Sequence, residues 1–146
     1  MALALREGRK GLRDGNKPVG AVIVLGGKVI GRGRNTVDTT ADPTNHAEIV
    51  AIRAACRARK SATLAGATLY VIMEPCPMCL WAIHVAGIRR IVLGGRHAAM
   101  KRRDLGNYSV EKLLVLTRQK VELVTGVRTK ECQDMRWAWR RETGRI

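Results

Sequence analysis

The sequence predicts an α/β fold, a three-layer α/β/α sandwich around a five-stranded mixed sheet, and three observations lead there. Five short runs rich in β-branched residues alternate with segments of helical periodicity. The first two runs meet at Gly26-Gly27, a dipeptide that accepts positive φ in a tight hairpin, which makes them an antiparallel pair. The last two are separated by a helix-length connection, which permits a parallel crossover. A chain of 146 residues can build one full core and is short for two, so residues 1–146 are expected to form a single domain.

Along the chain, Leu5 to Arg13 is weakly helical, with Gly8 and Gly11 counting against it, and Gly15, Asn16 and Pro18 close the segment. Val19 to Leu25 and Val29 to Arg34 are the hairpin strands. Asn35 to Asn45 reads as a polar loop whose Asp42-Pro43-Thr44 turn offers caps to the helix behind it. That helix carries His46, and Ile49, Ile52 and Cys56 recur at core-facing spacing while Arg53, Arg57, Arg59 and Lys60 point elsewhere. Thr68 to Met73 is a strand, Pro75-Cys76-Pro77 breaks it, and a helix follows from Met78 to Val85. Ile91 to Leu93 is a short strand. A basic loop, a helix with Val110, Leu113 and Leu114, and a strand from Val121 to Val124 come next. A final helix, roughly Lys130 to Arg141, places Cys132, Met135 and Trp139 on one side.

Hydrophobic residues make up 46% of the chain and no repeat is visible, which fits a globular protein rather than a disordered tail or an array. Met1 to Lys10 carries Arg6, Glu7, Arg9 and Lys10, so no secretory signal is expected. The longest apolar run, Val19 to Leu25, is far below the roughly 20 residues that cross a bilayer. A soluble, cytoplasmic protein with no membrane partner is expected. Cys56 and Cys132 sit on apolar helical stripes as small buried hydrophobes, whereas Cys76 and Cys79 have a spacing suited to metal or redox work. Twenty-seven basic residues against twelve acidic ones give a formal charge of +15, a field that attracts polyanions. Charge alone does not separate a cognate nucleic acid from a solvated basic surface.

The chemistry-bearing constellation is His46-Ala47-Glu48 together with Pro75-Cys76-Pro77-Met78-Cys79, the H-x-E and P-C-x-x-C pattern of zinc deaminases. His46, Cys76 and Cys79 offer one imidazole and two thiolates, which leaves the fourth tetrahedral position to water, the mark of a catalytic site. Both motifs fall in first turns of helices, where the dipole favours anionic ligands. Zn2+, one per subunit, would bring its water's pKa near 7 from about 15.7 and so make hydroxide available. Attack on an amidine carbon also needs protons for a ring nitrogen and for the departing amine, and Glu48 is placed to carry both without being a ligand. A redox Cys-x-x-Cys does not require the upstream His-x-Glu. A structural zinc knuckle could use His84, but its last cysteine is replaced by Arg89. His84 and His97 are therefore read as polar histidines rather than ligands.

On these residues the chain resembles the cytidine deaminase superfamily, and it is similar both to tRNA adenosine deaminases and to fungal-type cytosine and bacterial guanine deaminases. The resemblance spans nearly the whole chain, through Pro18-Val19-Gly20-Ala21, Gly31 to Asn35, Asn45 to Glu48, Leu69-Tyr70, Glu74 to Cys79 and Ala86-Gly87-Ile88. It implies the cytidine deaminase-like sheet with parallel final strands, a homodimer or larger assembly, zinc on His46, Cys76 and Cys79, and Glu48 as proton shuttle. By the same matching, Asn35 and the backbone N–H of Ala47 would contact the base, although an asparagine at a strand end also serves as a local backbone cap. Trp137 to Glu142 resembles the terminal segment of cytosine deaminases, which makes Trp139 a candidate cover for the substrate and Glu142 a candidate reader of its edge. Helical aromatics are otherwise core by default.

The first reading of the substrate is a free nucleobase or nucleoside, and the same chemistry on tRNA or single-stranded DNA comes second. The C-terminal tryptophan and carboxylate favour a free nucleobase or nucleoside. The charge favours a base in tRNA or single-stranded DNA, with Arg96, Lys101, Arg102 and Arg103 as possible nucleic-acid contacts in a stretch without acidic residues. Such an enzyme takes its base from a loop or single strand, though few aromatic residues are available to stack bases. A third reading is a non-catalytic zinc module that binds nucleic acid, in which Glu48 would be dispensable.

Overall fold

The computed structural model describes residues 1–145, with the side chain of Arg103 outside the described set. Helix α1 (Ala2–Arg13) leads into the hairpin β1 (Gly20–Leu25) and β2 (Lys28–Arg34). Gly26 and Gly27 turn it with φ of 54° and 75°, a backbone that a β-carbon would strain. After it come α2 (Val37–Thr40), α3 (Ala47–Arg59), β3 (Thr68–Met73), α4 (Pro77–Val85) and β4 (Arg90–Gly95). Two single 3₁₀ turns, α5 (Val110–Leu116), β5 (Glu122–Val124) and α6 (Thr129–Thr143) complete the order.

The strands form one sheet in the order β2-β1-β3-β4-β5. β1 is antiparallel to β2 and to β3, while β3, β4 and β5 run parallel. The mixed sheet and its parallel end are as the sequence predicts. Alternation along the strands divides the core in two. Ala21 and Ile23, Leu69 and Val71, and Ile91 and Leu93 face α3, α4 and α5, whereas Val22 and Ile72 face α1 and α6. These are the two outer layers of the sandwich.

Three expectations change on contact with the structure. The buried face of α3 is Ala47, Ala51 and Ala55, and the expected Ile49, Ile52 and Cys56 are only half-buried. The cause is the strand beneath: a Cβ on Gly31 would lie 2.5 Å from the carbonyl oxygen of Ala51, and one on Gly33 2.1 Å from that of Ala47. Helix and strand approach so closely that alanine is the largest side chain the seam admits. The segment read as a loop contains the short helix α2, and Asp42 caps its own turn, accepting from the Thr44 N–H at 2.8 Å, rather than α3. Finally, the buried stripe of α6 is Cys132, Arg136 and Trp139, with an arginine where an apolar residue was expected. Met135 is only partly covered.

Candidate metal centre and its cavity

Two helix N-termini converge at the carboxyl end of the central strands. His46 is the N-cap of α3 and Cys76 that of α4, and Cys79 is buried one turn further along. Pro77 opens α4 at a position where no N–H is needed. His46 Nδ1 lies 3.6 Å from Cys76 Sγ and 3.4 Å from Cys79 Sγ, and all three donor atoms fall within 4.8 Å of one another. A tetrahedral zinc bound at ~2.0–2.1 Å to nitrogen and ~2.3 Å to sulfur sets such donors roughly 3.6 Å apart. The geometry fits the metal, and among the described residues the cluster contains three donors, not four.

The Cys79 S–H donates to Cys76, which outweighs burial and, with help from His46, brings the Cys76 thiol down to about 4. Donating that bond drives the Cys79 thiol far up. Glu48, on the first turn of α3, is 3% exposed and outside the donor cluster. Burial, reinforced by the Cys76 thiolate, raises its carboxyl to about 7. A buried acid with that affinity for a proton can both take one and return it near neutral pH.

These groups open into a cavity of about 120 Å³. His46, Cys76, Glu48 and Asn35 form part of its wall, as the sequence suggests. Asn35 is buried, and its Oδ1 accepts from the Val37 N–H at 3.3 Å, so it also serves as the local cap considered for it. The Ala47 side chain is buried, and its N–H belongs to the first turn of α3, where intrahelical acceptors are lacking.

The structure does not bring the other expected contacts together in the same way. Trp139 is 2% exposed and is not among the side chains lining the cavity, and Glu142 is exposed at the end of α6, away from it. Arg96 is held by Glu111 at 2.7 Å and by Glu74 at 3.2 Å. Lys101 is exposed, Arg102 reaches the cavity wall, and the side chain of Arg103 lies outside the described residues.

Four polar wall residues were not assigned to the site from the sequence, Lys17, Glu74, His97 and Arg136, and the apolar Val19, Met73 and Met100 line it as well. Arg136 carried a signal, since a guanidinium stood between Cys132 and Trp139 on a stripe otherwise apolar. His97 is buried with neither ring nitrogen hydrogen-bonded among the described residues, and burial lowers its pKa. Lys17 lies beside Asn16, whose Oδ1 accepts from the backbone N–H groups of Asp38 and Thr39 at 3.0 and 3.2 Å and so fixes the segment against α2. Tyr108 ties the loop before α5 to the cysteine motif, donating to the Pro75 carbonyl at 2.8 Å.

Residues 1–95 match the family of the cytidine and deoxycytidylate deaminase zinc-binding region. Over 144 residues the chain is 36% identical to a tRNA-specific adenosine deaminase of Bacillus subtilis, covering 97% of this chain and 87% of that one. A guanine deaminase of the same organism is 46% identical over 80 residues, 55% of this chain and 51% of the other. A solved structure described in a study of A-to-I editing by tRNA:A34 deaminases at the wobble position superposes with a TM-score of 0.81. It is 36% identical, covering 92% of this chain and 96% of that one.

Proposed function

The chain belongs to the cytidine and deoxycytidylate deaminase family, and on that premise we propose that this hydrolytic deaminase acts on an adenine-type base presented in tRNA. The observation that carries the reading is similarity along 97% of the chain to a tRNA-specific adenosine deaminase, joined to a three-donor metal centre beside a buried carboxyl. The charge of +15 supports a polyanionic substrate. The same chemistry on a free base or nucleoside is the second reading, favoured by the 46% identity to a guanine deaminase over 80 residues.

His46, Cys76 and Cys79 would hold zinc, which would supply an acidified water as nucleophile at neutral pH. Glu48 would take one proton from that water and pass it to the ring nitrogen beside the attacked carbon, then carry the second from the newly added hydroxyl to the amine, so that the C–N bond breaks to release ammonia as the carbonyl forms. Asn35 Nδ2 and the Ala47 N–H supply donors that orient the heterocycle edge-on. A base in a loop reaches this cavity by leaving its stack. A cytoplasmic location accords with this substrate, and among the described residues no helix is long and apolar enough to cross a membrane. The homodimer has a candidate face in Ile49, Ile52, Met78, Val85 and Trp81, the last 47% exposed.

The test measures ammonia release from adenine, guanine, cytosine, their nucleosides and an RNA hairpin. Reaction with the hairpin is expected, and reaction confined to free bases or nucleosides would replace the first reading by the second. Glu48→Gln should keep its zinc while turnover falls roughly 10²–10⁴-fold. Unchanged turnover would remove Glu48 from the chemistry.

A further inference from the structure

The cavity that holds the metal donors also contains positive charge without an ion-pair partner among the described residues. Arg136 is 2% exposed, lines the cavity, and has both Nη atoms buried without a hydrogen-bond partner among the described residues. A buried guanidinium with free donors is costly, because its hydration is lost and nothing replaces it. Stacking over the Trp139 ring, 4.2 Å from guanidinium carbon to ring centroid, answers the face of the group and leaves its in-plane N–H donors unused.

Lys17 lies on the same cavity, 5.7 Å from the centroid of that same ring. Two further cations stand nearby and are already paired: Arg102 with Asp104 at 2.5 Å, and Arg145 with Asp38 at 2.7 Å. Lys17 and Arg136 form no ion pair among the described residues. Burial, and then the positive charges of Arg136, Arg102 and Arg145, lower the Lys17 pKa to about 8. The protein has thus placed a planar donor fork and an ammonium on one cavity wall, neither held in an ion pair among the described residues.

We propose that Lys17 and Arg136 form an anion subsite inside the metal-bearing cavity that takes a phosphate group of the substrate. A guanidinium offers two parallel N–H donors to two phosphate oxygens, and the ammonium adds a point charge, the pairing that suits a tetrahedral oxyanion. The phosphate either ends a free nucleotide or belongs to the backbone beside a base in an RNA loop. The subsite rests on the deaminase reading only for what accompanies the phosphate, not for anion binding itself.

The experiment titrates inorganic phosphate into the zinc-loaded protein, followed by calorimetry and by thermal unfolding, for wild type, Arg136→Met, Arg136→Lys and Lys17→Met. Phosphate should bind and raise the wild-type melting temperature, Arg136→Met and Lys17→Met should each weaken it at least tenfold with zinc content unchanged, and Arg136→Lys should lose less. In phosphate-free buffer Arg136→Met should melt no lower than wild type, whereas a purely structural arginine would make it melt lower. Failure of wild type to bind phosphate, equal binding by the variants, or a lower melting point for Arg136→Met in that buffer would overturn the proposal.

The source of the phosphate is read on Glu48→Gln protein with a nucleoside, its 5′-monophosphate and an RNA hairpin carrying the same base. A tenfold gain of the monophosphate over the nucleoside, lost in a Glu48→Gln/Arg136→Met double variant, assigns a free nucleotide. A gain confined to the hairpin and lost in the same way assigns the backbone, and no gain overturns the subsite. Phosphate binding that persists in a protein releasing no ammonia from any substrate would sink the deaminase reading and leave the subsite standing.

Discussion

The Glu74 carboxylate, at the end of β3, accepts the backbone N–H of Val110 at 2.9 Å and thereby anchors the start of α5 to the centre of the sheet. Its other oxygen accepts the N–H of His97 at 2.9 Å and lies 3.2 Å from Arg96 Nε. One buried side chain thus ties down both ends of the segment between β4 and α5, which supplies His97, Met100 and Arg102 to the cavity.

Glu74→Ala removes acceptors from two backbone donors and leaves them without partners. Each such group costs about 1–3 kcal/mol when buried, so a loss of roughly 2–5 kcal/mol in unfolding free energy is expected, and less for Glu74→Gln, which keeps one oxygen. Urea unfolding of the zinc-loaded protein measures it. An unchanged midpoint would mean that the segment is held by other contacts.

Gly33→Ala tests how the sheet places the metal ligands. Its Cβ would stand 2.1 Å from the Ala47 carbonyl oxygen and 2.4 Å from the Ala51 N, both backbone atoms that cannot rotate away. Relief requires α3 to lift from β2, and His46 lifts with it as the N-cap of that helix. The expected result is a destabilisation of about 1–3 kcal/mol or more together with weaker zinc retention under dialysis. A variant that holds zinc as wild type does would show that the helix can slide without moving its first turn.

Much of this was legible in the sequence, and the parts that were not share a physical cause. His46, Glu48, Cys76 and Cys79 stood out because metal chemistry demands few residue types at narrow spacing, and the Gly26-Gly27 turn because positive φ demands glycine. The alanine face of α3 was hidden because Ile49 and Ile52 look more like core than Ala51 and Ala55 do. Only the paired glycines of β2, distant in sequence, reveal that the seam is too narrow for isoleucine. Lys17 was hidden by number, since among 27 basic residues nothing local marks it as folding inward, whereas Arg136 was marked only by its place on the apolar stripe of α6. Trp139 was read as a cover for substrate, yet its ring is enclosed beside Arg136, Lys17 and Arg145.

Loss of one thiolate should unmake the metal centre without unmaking the fold. Cys79→Ala leaves His46 and Cys76 as a two-donor set, too few for a site that requires at least three protein ligands. Zinc measured by mass spectrometry should fall from one per chain to well below half. The melting temperature should drop to that of chelator-treated wild type, since the stabilisation from a ligand vanishes with its binding. Full zinc occupancy in the variant would mean that a fourth donor, so far unseen, takes part.

Lys17 should make stability depend on alkaline pH in a direction opposite to a paired lysine. Its ammonium faces Arg136 of α6, Arg145 just beyond the end of that helix, and Arg102 and Asp104 of the segment after β4, and its pKa falls from 10.5 to about 8. The unfolded chain therefore binds the Lys17 proton more tightly than the native one. Below about pH 8 the native state carries the full cost of the charge; between about pH 8 and 10.5 it sheds that proton while the unfolded state still holds it, so the cost fades. Lys17→Met should accordingly be more stable than wild type at neutral pH, and the gap should close as pH rises through that window. Denaturant unfolding of both proteins in buffers free of phosphate measures the gap, because an anion bound beside Lys17 would mask it. A gap of constant size across the window would place the lysine in water rather than among the guanidinium groups.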